Sequence, residues 1–169
     1  MLIRSLAAAM AFVFMTLPGM AGPLAKVDVP PIDHLDATLV VIGADGTDHV
    51  YTPADLEGFE TYSLSTKTPW RDEPAEFVGV LLTDILAASG LASVDSIEVT
   101  AENDYRTIID RQTWESVDIL VATRVDGGTV SRRARGPIQF VIDMDAFNAS
   151  EFTSQSNLVW MAARIEANG

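Results

Sequence analysis

Short segments in which apolar and polar residues alternate, or in which β-branched residues cluster, run along most of the chain. This pattern is typical of β-strands, each with one buried face. Turn residues separate the segments, and Asp45-Gly46 and Asp126-Gly127-Gly128 are expected at the tips of two hairpins. The pattern predicts strands at residues 38–42, 49–51, 61–67, 97–101, 107–109, 120–125, 129–132, 139–142 and 159–165.

Two segments carry helix signals. Thr52-Pro53 offers an N-cap followed by proline at the first helical position, and Gly58 ends that helix after about two turns. A second helix is expected to begin at Phe77-Val78-Gly79-Val80, to carry an apolar stripe on one face and to end at Gly90, which would be a left-handed cap. Residues 110–114 predict a single capped turn of helix, and residues 143–155 an acidic loop or broken helix.

Many short strands with few helices predict an α+β fold. We expect a mixed, largely antiparallel β-sheet that forms a barrel-like core with a few short helices. Neither an internal repeat nor a linker divides the chain. The sequence therefore predicts a single domain over residues 38–167, preceded by an extended leader at residues 22–37.

Residues 1–21 have the features of a secretory signal peptide. Arg4 supplies a positive charge, a short apolar run follows, and Gly19-Met20-Ala21 provides small residues for cleavage before Gly22. A membrane-anchoring helix would need about 20 apolar residues, whereas this run ends at Pro18. We therefore expect a periplasmic or secreted protein with no membrane insertion after cleavage.

Composition narrows the classes of partner and of chemistry. The formal net charge of −13 argues against nucleic acid as a partner. The chain has no cysteine, which excludes disulfides and thiolate metal ligands. Its two histidines, His34 and His49, show no metal-ligand spacing.

An ordered series of motifs runs from Trp70 to the strand predicted at residues 139–142. It comprises the stretch from Trp70 to Gly90, Asn103-Asp104-Tyr105, Asp126-Gly127-Gly128, and Arg135-Gly136-Pro137 before the strand at 139–142. This series resembles the molybdopterin-binding domain of the sulfite-oxidase superfamily, whose members show W-x-G-x-x-F/W-x-G-V, then D-G-Y, N-G and G-x-P-x-R. The resemblance implies that fold and a molybdenum-dependent oxidoreductase activity, with the metal held by a cysteine.

The residues that the family uses for its cofactor are missing. The cysteine position corresponds to Thr66 or a close neighbour, and a hydroxyl is a poor substitute for a soft thiolate. Neutral Gln139 stands where the family commonly has a phosphate-facing arginine. We therefore expect no cofactor, and molybdopterin is implied by the resemblance alone.

The resemblance places several residues around the family's former pocket. Trp70 and Arg71 would form one wall and Tyr105 another, although each also suits ordinary packing. Arg132, Arg133 and Arg135 form a basic cluster, which suits an anion site or a solvated hairpin flank. The candidate pocket residues are Thr66, Trp70, Arg71, Tyr105, Arg132 and Arg135.

Three hypotheses about function follow. The favoured one is an exported, non-catalytic domain that uses the pocket to bind a small anionic ligand or a partner protein. A sensory or accessory role beside a membrane sensor or redox protein would suit it. The alternatives are a molybdopterin-dependent oxidoreductase whose metal is not held by a thiolate, and a structural subunit without a ligand pocket.

Overall fold

This computed structural model describes residues 24–169 of the chain. Two β-sheets contain most of the residues that are in regular secondary structure. Numbered along the chain, the strands are β1 (Ala25–Lys26), β2 (Leu39–Ile42), β3 (Asp48–Tyr51), β4 (Thr61–Thr66), β5 (Ala75–Leu81), β6 (Ser96–Ala101), β7 (Arg106–Asp110), β8 (Leu120–Val125), β9 (Gly128–Thr129), β10 (Gln139–Val141) and β11 (Ala162–Ala167). The predicted signal peptide, residues 1–21, lies outside the described residues.

The first sheet has the order β1-β4-β5-β8-β10, with β9 paired to β8, and the second has the order β3-β2-β11-β6-β7. The pair β11 and β2 is parallel, and the other strand pairs of the described residues are antiparallel. The predicted α+β class with largely antiparallel sheet is thus confirmed. Across residues 24–169 the strands form two sheets and do not close into the expected barrel.

The helices are short. They are α1 (Pro53–Leu56), α2 (Leu82–Ala88), α3 (Arg111–Ser116) and α4 (Met144–Ala149), with single 3₁₀ turns at Arg132–Ala134 and Gln155–Asn157. The N-cap predicted at Thr52 is confirmed, because its hydroxyl accepts from the Asp55 amide while the Asp55 carboxylate accepts from the Thr52 amide. None of the helices in residues 24–169 has the length and hydrophobicity of a membrane span.

The main hydrophobic core draws on both sheets. It includes Val80, Val121 and Phe140 of the first sheet and Val99 and Ile165 of the second. Helix α2 adds its buried apolar residues to the same core. A smaller cluster is formed by other residues of the first sheet, among them Leu64, Phe77, Leu120, Ala122 and Val141.

The prediction that Phe77-Val78-Gly79-Val80 opens a helix is wrong. These residues belong to β5, which pairs with β4 on one side and β8 on the other, and the helix begins only at Leu82. Residues 77–80 are all buried, so they form a continuous apolar run that sequence pattern alone does not distinguish from a buried helix. Gly79 lies at an irregularity in the β5–β8 register, where a Cβ atom would be 2.1 Å from the Val121 carbonyl oxygen.

The N-terminal segment contacts a buried ion pair between Arg124 and Glu57. Arg124 donates from Nε to Oε1 of Glu57 at 2.8 Å and from Nη2 to Oε2 at 2.5 Å, and both side chains are more than nine-tenths buried. Nη2 of Arg124 also donates to the Pro30 carbonyl at 2.8 Å, and His34 contacts Glu57 at 3.1 Å. The segment predicted as an extended leader is thus held at Pro30 and His34, besides its pairing through β1.

Candidate functional site

Arg135 is presented by a tight turn that follows the second hairpin. The strand predicted at residues 129–132 ends at Thr129, and the chain turns into 3₁₀ helix at Arg132–Ala134, capped by the Ser131 hydroxyl. Arg135 then adopts the left-handed conformation with φ of +74°. At Gly136 a Cβ atom would be 2.1 Å from the Val130 carbonyl oxygen, so glycine is required for this close approach.

Trp160 lies beside Arg135 because the last strand starts later than expected. The alternation of residues 159–165 predicts a strand from Val159, but β11 begins at Ala162. Met161 has φ of +51°, and its amide donates to the Arg135 carbonyl at 3.1 Å while its own carbonyl accepts from the Glu102 amide at 2.8 Å. These bonds take residues 160–161 out of the sheet and bring Trp160 beside Arg135.

The Arg135 guanidinium lies in a corner between two indole rings. Its Cζ atom is 4.2 Å from the centroid of Trp160 and 4.8 Å from that of Trp70. The two indoles contact each other edge to face, with centroids 4.9 Å apart and planes inclined at 76°. Attraction between the cation and the aromatic rings holds the guanidinium in this corner.

A cavity of about 590 Å³ opens beside this corner. Its walls are mostly aromatic and aliphatic, with a few neutral polar groups and a single charged side chain, Arg135. The lining residues are Pro69, Trp70, Asn103, Tyr105, Arg135, Gln155, Ser156, Leu158 and Trp160. The volume and this composition are typical of sites for small organic ligands.

Within the described part of the chain, no carboxylate forms an ion pair with Arg135. Its Nε is buried and has no hydrogen-bond partner among the described residues. The cavity lining contains neither aspartate nor glutamate, although the chain has 24 acidic residues. An indole stabilises a cation without neutralising it, so this charge is available to an incoming anion.

The six predicted pocket residues divide into two groups. Trp70, Tyr105 and Arg135 all line the cavity. Thr66 is completely buried at the end of β4, where its hydroxyl accepts from the Met144 amide at 2.9 Å. Arg71 lies over the Phe77 ring and contacts Asp126 at 3.6 Å, away from the cavity.

Arg132, the remaining predicted pocket residue, is engaged elsewhere. It donates from Nε and Nη2 to the two carboxylate oxygens of Glu102, at 2.9 and 3.0 Å. The hydrogen bond from Arg132 to Glu102 raises the pKa of Arg132. This pairing with Glu102 engages the Arg132 guanidinium, and Arg132 is not among the residues that line the cavity.

Sequence reasoning missed Trp160 and the residues of the second 3₁₀ turn, Gln155 and Ser156. The alternation of residues 159–165 puts Trp160 on the polar side of a final strand, with no sign that it meets Trp70. One signal is present: a tryptophan is an unusual choice for a solvated strand position. Nothing in the sequence pairs the 155–156 segment with the cavity.

The residues present do not fit the molybdenum centre that the resemblance implies. The chain has no thiolate to offer, and the Thr66 hydroxyl is buried, engaged by the Met144 amide and not part of the cavity lining. Within residues 24–169 no group of three or more His, Cys, Asp or Glu side chains is placed to hold a metal ion. The cavity also presents one cation, whereas a phosphate-bearing pterin needs several converging donors.

Comparison of the sequence with models of known families and with curated proteins finds no match. The resemblance to the sulfite-oxidase superfamily therefore stays a prediction.

Proposed function

We propose that this protein is an exported, non-catalytic binding domain that holds a small anionic ligand in the cavity at Arg135. The observation that carries the proposal is an arginine kept in an aromatic corner, without a carboxylate partner in residues 24–169, in a chain where acids outnumber bases 24 to 11. The Nε of Arg135 is buried and out of reach of a ligand, whereas no hydrogen bond within residues 24–169 engages its two terminal nitrogens. An anion that pairs with these terminal N–H groups would form charge-assisted hydrogen bonds, which are the stronger kind.

We further propose that the scaffold is that of the sulfite-oxidase superfamily. Three backbone features support the alignment of its motifs. Asp104 has φ of +63° where the family has the glycine of D-G-Y, and Gly127 has φ of +79° where the family has N-G. Arg135, which stands two residues before Pro137 as the glycine of G-x-P does, has φ of +74°. Each position thus has the backbone that the motif's glycine would serve.

A non-catalytic binding domain needs a second protein that responds to the bound ligand. We propose that this partner is a sensor or redox protein in the membrane. The resembled family's oxidoreductase activity is not part of the proposal, because the residues around the cavity do not suit its metal. Stoichiometric molybdenum in protein purified from its native compartment would overturn this assignment.

The proposal is tested by thermal unfolding in the presence of sodium salts of inorganic and organic anions, with chloride as the reference. At least one anion is expected to raise the unfolding midpoint saturably, because a ligand that binds only the folded state stabilises it. The effect should disappear in Arg135→Gln. A midpoint that no anion raises, or a rise that persists in Arg135→Gln, would contradict the proposal.

A further inference from the structure

The shape of the aromatic corner determines how an anion can approach Arg135. Since the two indole planes are inclined at 76°, the guanidinium cannot stack in parallel on both rings. Aromatic atoms nevertheless lie close to it on two sides, with the ring centroids at 4.2 and 4.8 Å. The N–H groups of a guanidinium lie in its plane. Because Nε of Arg135 is buried, the two terminal nitrogens are the donors that remain for a ligand.

A planar carboxylate matches this arrangement better than other anions do. Two parallel N–H donors of a guanidinium meet the two oxygens of a carboxylate in one plane. A tetrahedral oxyanion can meet the same two donors, but its other oxygens would have no charged donor in the cavity lining, and it would leave a cavity of about 590 Å³ largely unfilled. A carboxylate attached to a larger body therefore suits this cavity better than a free oxyanion does.

The remaining lining indicates what is attached to the carboxylate. Tyr105 and Trp160 are 47% and 38% exposed, so their rings are accessible to a ligand, and Pro69 and Leu158 add aliphatic surface. Aromatic side chains prefer offset-stacked or edge-to-face contact with another ring. A flat aromatic body would fill this space and bury the exposed rings.

Asn103 contributes to the polarity of the cavity wall. Its Oδ1 atom accepts from the Tyr105 amide at 3.2 Å, which leaves the NH₂ end of the side chain for a ligand. The neutral donors of the wall therefore favour an acceptor as well.

We propose that the cavity binds a small arenecarboxylate, with the carboxylate paired to Arg135 in the guanidinium plane and the aromatic ring against Tyr105 and Trp160. This proposal rests on the function proposed above, and it specifies the class of ligand. The carboxylate supplies orientation and most of the discrimination, and the aromatic lining supplies the contact area.

The three tryptophans of the chain offer a direct measurement. Trp70 and Trp160 line the cavity, whereas Trp114 is buried in α3 and does not. In a ¹⁵N–¹H spectrum of the full chain, titration with benzoate should shift the indole signals of Trp70 and Trp160 and leave that of Trp114 in place. The probes for comparison are benzamide, acetate, sulfate and inorganic phosphate.

We expect benzamide and acetate each to bind about tenfold or more weakly than benzoate, because one lacks the charge and the other the ring. Sulfate and phosphate should cause no saturable shift. Arg135→Gln should weaken benzoate by about tenfold or more, and Arg135→Lys, which keeps the charge but not the paired donors, should fall between. Arg133→Gln is the matched control, since Arg133 is exposed and outside the lining, and it should bind benzoate as the parent does.

The outcomes separate this inference from the proposed function. If sulfate or phosphate binds at Arg135 as tightly as benzoate, the arenecarboxylate is excluded while the anion site remains. If no probe shifts the signals of the two indoles, or if benzamide binds as tightly as benzoate, the inference fails. If in addition no anion raises the midpoint of thermal unfolding, the proposed function fails as well. Circular dichroism of Arg135→Gln shows whether the variant is folded. If it is not, the comparison of benzoate with benzamide on the parent protein decides.

Discussion

The buried pair of Glu57 and Arg124 gives the sharpest test of what holds this fold together. Glu57→Gln keeps the shape of the side chain but removes its charge, and it leaves the Arg124 guanidinium unpaired at 3% exposure. Glu57 accepts two hydrogen bonds from Arg124 and one of 2.7 Å from Thr123. Weakening three charge-assisted bonds by about 1–1.5 kcal/mol each gives about 3–4.5 kcal/mol. This agrees with the cost of about 3–5 kcal/mol for removing one partner of a buried ion pair.

Urea unfolding followed by circular dichroism measures this loss. Glu60→Gln is the matched control, because it makes the same substitution at an exposed acid whose ion pair with Lys26 is on the surface, and it should leave the midpoint unchanged. The double variant Glu57→Leu with Arg124→Leu should cost less than the sum of the single changes, since it leaves no charge buried. A Glu57→Gln protein within about 0.5 kcal/mol of the parent would refute the reasoning.

The same pair makes stability depend on pH in a defined direction. Burial alone would raise the pKa of Glu57, but hydrogen bonds from Arg124, Thr123 and His34 outweigh it and hold the pKa below the ordinary value of 4.5. A depressed pKa in the folded state stabilises the protein above the unfolded value, and this contribution is lost as the pH falls through the folded value. The difference between the parent and Glu57→Gln should therefore narrow below pH 4.5. A difference that widens there would contradict this assignment.

Two further substitutions test local contacts. Gly79→Ala would place a Cβ atom 2.1 Å from the Val121 carbonyl oxygen, so we expect it to lower the free energy of unfolding in urea by about 3 kcal/mol. Gly128→Ala is the control and should be tolerated, because the nearest atom to its Cβ would be 3.9 Å away. Equal stability of the two variants would show that the β5–β8 register relaxes freely. Thr66→Val removes the hydroxyl that accepts from the Met144 amide and should lower the free energy of unfolding by about 1–2 kcal/mol. Thr66→Ser is the control, because it keeps this hydroxyl. The Met144 amide should exchange its hydrogen faster in Thr66→Val, and an unchanged exchange rate would contradict the role of this hydrogen bond.

The sequence was informative where a local rule decides the structure. The capping box at Thr52, the left-handed cap at Gly90 and the alternation of β6 each follow from residues that lie within a few positions of one another. Residues 77–80 could not be assigned in this way. Their state depends on strands β4 and β8 on either side, and a segment buried on both faces loses the alternation that identifies a strand.

The candidate site was predictable only in part for a related reason. Trp70, Tyr105 and Arg135 stand in motifs, and all three line the cavity. Trp160 stands in no motif, because its position depends on the backbone bonds that Met161 makes to Arg135 and Glu102. Arg132 shows the reverse case: its neighbours in sequence suggest an anion site, but its guanidinium is occupied by Glu102, a residue 30 positions away.

A binding site for an anion in an acidic protein should respond to salt in an unusual direction. A charge of −13, spread over a sphere with a radius of about 20 Å, repels a monovalent anion at its surface. The repulsion is about 1.6 kcal/mol when the Debye length is 30 Å and about 0.9 kcal/mol when it is 10 Å. Contact with Arg135 inside the cavity is screened much less, because salt ions are largely kept away from a partly buried pair.

The weakening of the long-range repulsion should therefore decide the salt dependence. Raising the salt from 0.01 to 0.1 M should tighten benzoate binding by about threefold, from the difference of about 0.7 kcal/mol. Benzamide, which carries no charge, should show no such change in the same indole titration. If benzoate binding instead weakens as salt is added, the local field of Arg135 reaches beyond the cavity and exceeds that of the surrounding acids, and local attraction rather than long-range repulsion governs the response to salt.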